Sequence, residues 1–432
     1  MELLQQVRVI DPWQQVDRLA DVLIRSGKIV AIADRLNDYP QDTSIVAGSG
    51  LVLGTGLTDL YSHSGEPGNE ARETLFDLAS AATAGGFTRV GILPDTVPPI
   101  TTAATLAAIT QKSNSLSENN ESKAIFAERQ SLAKLYFWGA CCDDSNQMNE
   151  LGELKAGVLG FATSHGLGNL DVFRQILEYV RSWQKTLILT LDCNELSASG
   201  VVREGTNSIR YGMLGNPSFS EAATIAAVLE IVTQIPTSVH IARVSTKRGV
   251  ELIADAKNRD VPITASTTWM HLLHNSDAIG SYNPNLRLEP PLGDESDRIS
   301  LIDGVERGII DAIAIDHHAY TYEEKTVAFA LTPPGVIGLE LALPLLWQKF
   351  VASGRWSALT LWQALSSHPR QCMQLPPNAI APEKTADLVL FDPRQIWTAN
   401  RDNLKSPAAN TPWYETKIVG KVIRTWIDPV NS

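Results

Sequence analysis

Hydrophobic positions along this chain fall into short apolar runs separated by longer amphipathic stretches. Near the N-terminus, residues 7–10, 21–25 and 28–33 read as short strands, with Ser26-Gly27 as a two-residue turn between the last two. The C-terminal region repeats that texture at 386–392, and again at 417–419 and 422–426 on either side of a turn expected at Gly420-Lys421. The two ends, 1–52 and 376–432, are therefore expected to share one small β domain. Between them, over 53–375, apolar runs at 88–93, 156–161, 187–191, 238–244, 263–266 and 312–316 alternate with helical patterns. Such βα alternation predicts an α/β fold built on a parallel barrel, with its chemistry where strands end and the following loops begin.

Composition narrows the setting. At 432 residues the chain is too long for one small core, and 44% hydrophobic content supports a large buried one. With 36 Lys+Arg against 48 Asp+Glu, the formal charge of -12 disfavours nucleic acid or an anionic membrane as a partner. Cys141, Cys142, Cys193 and Cys372 have no metal-knuckle spacing, and a reducing, cytoplasmic location is expected. No leader pattern or long apolar stretch predicts secretion or membrane spanning. Residues 112–123 are polar and read as a solvated helix end or loop.

Several ordered motifs carry a family resemblance. Glu66-Pro67-Gly68 with Glu73-Thr74, Ala84-Gly85-Gly86-Phe87-Thr88, and Leu93-Pro94-Asp95-Thr96 lie in the first third. His240-Ile241-Ala242-Arg243-Val244-Ser245-Thr246, Pro290-Pro291-Leu292 and Asp311 to His317 follow, then Gly338-Leu339-Glu340 and Asn410-Thr411-Pro412. In order and spacing the chain resembles the dihydroorotases of the amidohydrolase superfamily over essentially its whole length. The resemblance implies a (β/α)8 TIM-like barrel plus a small β-sandwich domain formed by both termini. It also implies, in active members, zinc that activates water to open a cyclic amide, and a strand-end Asp that moves the proton.

Set beside that family, this chain has lost most of the ligands. The first barrel strand would end Asp-x-His-x-His, but here Asp59 is followed by Tyr61 and then His63. A phenol binds zinc only after losing a proton of pKa ~10. No carboxylate stands at the bridging position in Phe161 to Gly166; a ligand His is Thr190; and the His of His-Val-Ser-Thr is Arg243, which repels a metal cation. Of the usual ligands, His63 and Asp316 remain, Asp316 also being the proton-transfer position. His165 and Asp192 lie at strand ends and would be the co-ligands if one zinc site had been rebuilt. Substrate-pocket positions have changed likewise, to Gly65, Asp95, Glu289 and Tyr320, so that a cation has gone and two acids have arrived. Carboxylates facing an anionic substrate cost on the order of several kcal/mol.

These substitutions predict that Arg243 pairs with Asp316 through both guanidinium nitrogens, taking over as countercharge. His317 and His318 should point to opposite faces. His240 is expected in the core, and His271 and His274 on the surface. The reading that follows is a non-catalytic dihydroorotase-like protein without a cofactor, and a homo-oligomer. The resemblance also suggests aspartate carbamoyltransferase, of pyrimidine biosynthesis, as a partner. The alternative is a one-zinc hydrolase of dihydroorotate or of a different cyclic amide, using His63, His165, Asp192 and Asp316.

Overall fold

A computed structural model describes residues 1–119, 131–143, 145–163, 169–191, 194–197 and 199–427. Strands from both ends of the chain join in one seven-stranded sheet. Glu2–Asp11 pairs antiparallel with Val16–Arg25 and parallel with Ser44–Ala47 and Val52–Thr55. Val52–Thr55 in turn pairs with Leu388–Thr398, and that strand with Lys417–Trp426. Alternation decides which way each residue faces. Leu53, Leu388 and Leu390 join Leu4, Val7, Val22 and Ile29 in the core of the small domain, whereas Val52, Val389 and Phe391 join the main core beside the barrel.

The barrel starts at Leu57. Its strands are Leu57–Ser62, Phe87–Ile92, Lys134–Phe137 running on into Gly139–Ala140, Phe161–Ala162, Leu187–Leu189, Val239–Ile241, Ile263–Thr268 and Ala312–Ala314. Each neighbouring pair is parallel. Closure comes where the last strand meets the first. Asp316 N donates to the Tyr61 carbonyl at 3.1 Å, and His63 N to the His317 carbonyl at 2.8 Å. Asp59 adds a side-chain strap, accepting from Ile315 N at 2.8 Å and from Ser62 Oγ at 2.5 Å.

Inside the barrel, fully buried Trp138 crosses toward the first strand and donates from Nε1 to the Leu60 carbonyl at 3.0 Å. Burying such a ring contributes about 5 kcal/mol at ~25 cal/mol/Å². Gly91 makes room, since a Cβ there would lie 2.2 Å from the Leu60 oxygen and 2.6 Å from the indole nitrogen. Tyr61, Ile188, Ala242, Ala312 and Ala314 fill the rest, with Cys372 and Met373 entering from the helix His368–Cys372.

Two sequence expectations differ locally. The last strand is continuous rather than a hairpin: Val419 pairs with Ile396 and Lys421 with Asp392, with a register irregularity absorbed between them. The run at 156–161 begins as a turn, because Gly157 and Val158 donate back to the Leu154 carbonyl at the end of helix Leu151–Leu154, and pairing starts only at Leu159. The described part of the polar segment, up to Asn119, ends the helix Ala103–Asn119.

Candidate functional site

Three barrel strands deliver a charged cluster at their C-terminal ends. His63 follows the first strand, Arg243 the sixth and Asp316 the eighth. Arg243 Nη2 donates to Asp316 Oδ1 at 2.6 Å and lies 2.9 Å from His63 Nε2. His63 Nε2 is also 3.3 Å from Asp316 Oδ1, while its Nδ1 is 2.5 Å from Asp95 Oδ2. The expected bidentate fork is corrected to a single nitrogen on a single oxygen, because that nitrogen is drawn toward His63 as well.

Burial, the largest influence on His63, opposes its imidazolium, but Asp95 and Asp316 outweigh it and hold the ring up to about 9. Burial likewise opposes ionisation of Asp95 and Asp316. The His63 charge on Asp95, and the Arg243 charge with His63 on Asp316, keep both well below the usual carboxylate range. Among the described residues, two cations then balance two anions. The 2.9 Å contact suits a neutral ring accepting from Arg243, but a neutral ring would leave this buried cluster one negative charge in excess. Charge balance favours the imidazolium, with both nitrogens donating to the shared oxygen of Asp316.

Arg243 and Asp316 both occupy the left-handed region, at φ +57° and +52°. Non-glycine residues held there cost of order 1 kcal/mol or more, so the surroundings must fix them. Tyr61 holds both, its carbonyl accepting from Asp316 N and its hydroxyl from Arg243 N at 3.0 Å. The phenol then donates to Ser266 Oγ at 2.9 Å, and Ser266 to His240 Nε2 at 2.8 Å. Burial pushes the phenol above its ordinary range and His240 down to about 3, so this chain is neutral and fully hydrogen-bonded.

An aromatic stack closes over the cluster. His318 lies on His63 with centroids 3.9 Å apart, Tyr320 lies on His318 at 4.3 Å, and Arg72 caps Tyr320 at 4.8 Å. His317 points the other way, its Nδ1 accepting from Gly338 N at 3.1 Å and its Nε2 3.1 Å from Glu73.

The remaining predicted positions lie apart. Thr190 pairs with Thr163, hydroxyl to hydroxyl at 3.1 Å. Gly65 is packed against backbone, where a Cβ would meet the Glu73 oxygen at 2.5 Å. Glu289 is exposed, so it adds no carboxylate to a dry pocket, and Asp95 spends its charge on His63. His165 and Asp192 lie outside the described residues. The surface expectation for His271 is overturned: it is buried, bonded to Thr268 Oγ at 2.7 Å and to the Pro290 carbonyl at 3.0 Å. Ser266 was not anticipated; its one signal is a hydroxyl residue in an inward-facing position of a barrel strand.

Comparison with family models finds no match. The chain is 42% identical over 436 residues to a probable dihydroorotase-like protein of Synechocystis, covering 97% of this chain and 98% of that one. It is 31% identical over 427 residues to the dihydroorotase of Syntrophus aciditrophicus, covering 98% and 97%. The chain belongs to the dihydroorotase family. It shares its fold with the L-hydantoinase of Arthrobacter aurescens, which superposes with a TM-score of 0.82 at 19% identity, covering 100% of this chain and 97% of that one.

Zinc, the ion a dihydroorotase fold implies, needs several convergent deprotonated donors. Among the described residues no group of three or more His, Cys, Asp or Glu side chains is arranged to hold a metal. His63 Nε2 and Asp316 Oδ1 both face the guanidinium of Arg243. Tyr61 is a neutral phenol turned to Ser266. The described donor set does not fit zinc. What it does is hold charge still: cations and anions neutralise one another under an aromatic lid.

Proposed function

We propose that this member of the dihydroorotase family is a non-catalytic protein that keeps the barrel for a structural or regulatory role. The observation that carries the reading is the position of Arg243, whose Nη2 meets both retained ligand positions, His63 and Asp316. A hydroxide at neutral pH needs a Lewis acid to lower the pKa of water, and a guanidinium has no open coordination position to offer. An active one-zinc site would require Arg243 to turn away, and its amide is anchored to the Tyr61 hydroxyl at a strained backbone position.

The partner proposed is aspartate carbamoyltransferase, by resemblance to dihydroorotase-like chains that associate with that enzyme; cytoplasmic pyrimidine biosynthesis is the setting. Among the described residues no helix is long and apolar enough to cross a membrane. The test has two arms. Purified protein should leave dihydroorotate unopened, with or without added zinc, and tagged protein should co-purify with the transferase from its own cells. Ring opening at a rate proportional to enzyme would overturn the non-catalytic reading, and transferase recovered wholly in the unbound fraction would overturn the partner.

A further inference from the structure

The third barrel strand runs out of Gly139–Ala140 into a hairpin that the His63 cluster does not use. Asn149 N donates to the Cys141 carbonyl at 3.0 Å and Asp143 N to the Gln147 carbonyl at 2.9 Å, so the chain folds back on itself. Those two bonds flank Cys142 and Met148, which face each other as an antiparallel bridge. A bridge framed in this way is the non-hydrogen-bonded kind, in which side chains stand closest, with Cβ atoms about 4.5–5.5 Å apart. Asp143 fastens the turn from within, its Oδ1 accepting from Ser145 N at 2.8 Å and from Gln147 N at 2.9 Å. Asn149 Nδ2 ties the returning arm to the Ala140 carbonyl at 3.0 Å.

Three sulfur-bearing side chains thereby meet at the base of the hairpin. Cys141 is fully buried, Cys142 is partly exposed and Met148 is 38% exposed. The Cys141 thiol donates to the Cys142 sulfur. That bond draws the Cys142 thiol below its ordinary range, against burial and the charge of Asp143. It holds the Cys141 thiol well above, with burial adding to the effect. The partly exposed sulfur therefore gives up its proton first, and the thiolate is the form that binds metal. Adjacent cysteines alone have no knuckle spacing; the fold adds a thioether beside them.

We propose that Cys141, Cys142 and Met148 form a site for a soft monovalent cation, copper(I), with the two thiolates as anchors and the Met148 thioether as the third donor. Thiolate and thioether ligands select copper(I) over harder cations. Structural zinc takes four donors, and among the described residues no third His, Cys, Asp or Glu joins the two thiols. Binding releases the thiol protons to water, so affinity rises with pH. The site is separate from the His63 cluster and stands whether or not the chain hydrolyses anything.

The full chain, purified reduced and free of metal, is titrated without oxygen against copper(I) held by bathocuproine disulfonate, whose colour reports the copper not taken up. Wild type should withdraw about one copper(I) per chain, and X-ray absorption at the copper edge should show a shell of sulfur. Cys142→Ser should lose that uptake. Partners beyond a ligand shell already cost about tenfold in affinity, so Met148→Leu, which removes a ligand, should lose at least as much. Copper left wholly with the chelator, a shell of nitrogen and oxygen, or uptake unchanged in Cys142→Ser overturns the site. Should that variant not fold, the wild-type shell and Met148→Leu decide, and a Met148→Leu affinity equal to wild type overturns the three-sulfur site.

Discussion

Replacing Arg243 by alanine removes the cation that meets Asp316 at 2.6 Å, in a pair whose side chains are only 12% and 17% exposed. Asp316 and Asp95 would then share His63 as the remaining cation of the cluster. Breaking a buried pair by deleting one partner typically costs about 3–5 kcal/mol, mostly because the other charge stays buried. For 432 residues, an unfolding entropy of ~2.1 cal/mol/K per residue gives about 0.9 kcal/mol/K, so the melting temperature should fall by ~3–6 °C. Differential scanning calorimetry at pH 6 and moderate salt reads this directly. The second substitution is the sharper part. Asp316→Asn placed on top of Arg243→Ala removes the stranded charge, so the double variant should melt above Arg243→Ala alone. If Arg243→Ala melted with wild type, or if the two losses simply added, the pair would not be the stabilising element inferred here.

Titration of His63 gives a pH signature. Its folded value is raised to about 9, so the stability it contributes is complete below its unfolded value of ~6.5 and lost as pH rises through about 9. Melting temperatures from pH 6 to 10 should therefore decline in wild type and decline less in His63→Gln; parallel curves would contradict this. Asp387 lies buried between Arg370 at 3.0 Å and Arg89 at 3.3 Å, joining the terminal sheet to the barrel, and Asp387→Asn should cost about 3–5 kcal/mol by thermal or urea unfolding. Glu73 holds His317 on one side and Ser406 Oγ at 2.5 Å on the other. Glu73→Ala should expose the segment around Ser406 to limited proteolysis while the barrel stays resistant; cleavage unchanged from wild type would show that the segment is held by other contacts.

How much of this was legible in the chain follows from the range of each signal. Strand alternation such as Leu388, Val389, Leu390 and Phe391, split between two cores, is local, and the shared terminal sheet and the parallel barrel can be read from it. That Tyr61, Thr190 and Arg243 stand where the resembled motifs carry histidine is equally visible, because it needs only position along the motif. Distant partners are not. Tyr61 and Arg243 are separated by 182 positions, and nothing in either motif announces that the phenol anchors the arginine amide. His271 looked solvated beside Asn275, Ser276 and Asp277, yet its helix Trp269–Leu273 tucks under the Pro290 loop, a tertiary contact that overrides local polarity. Glu289 erred in the other direction: its place in a motif suggested a pocket, and the fold turns it to solvent. The bulge that replaced the hairpin near Gly420 reflects cross-strand pairing with Leu388–Thr398, which short-range turn chemistry does not encode.

In the function proposed above, Arg243 takes over the charge role of a metal at His63 and Asp316. Zinc content per chain, measured by plasma mass spectrometry on protein purified without chelator and dialysed against metal-free buffer, tests it most directly. Wild type should hold essentially no zinc, and zinc affinity should rise when Tyr61→His and Arg243→His place imidazoles at both positions. About one tightly held zinc per wild-type chain would contradict it, for His63 and Asp316 would then have found co-ligands and the guanidinium would not be the cation at their centre.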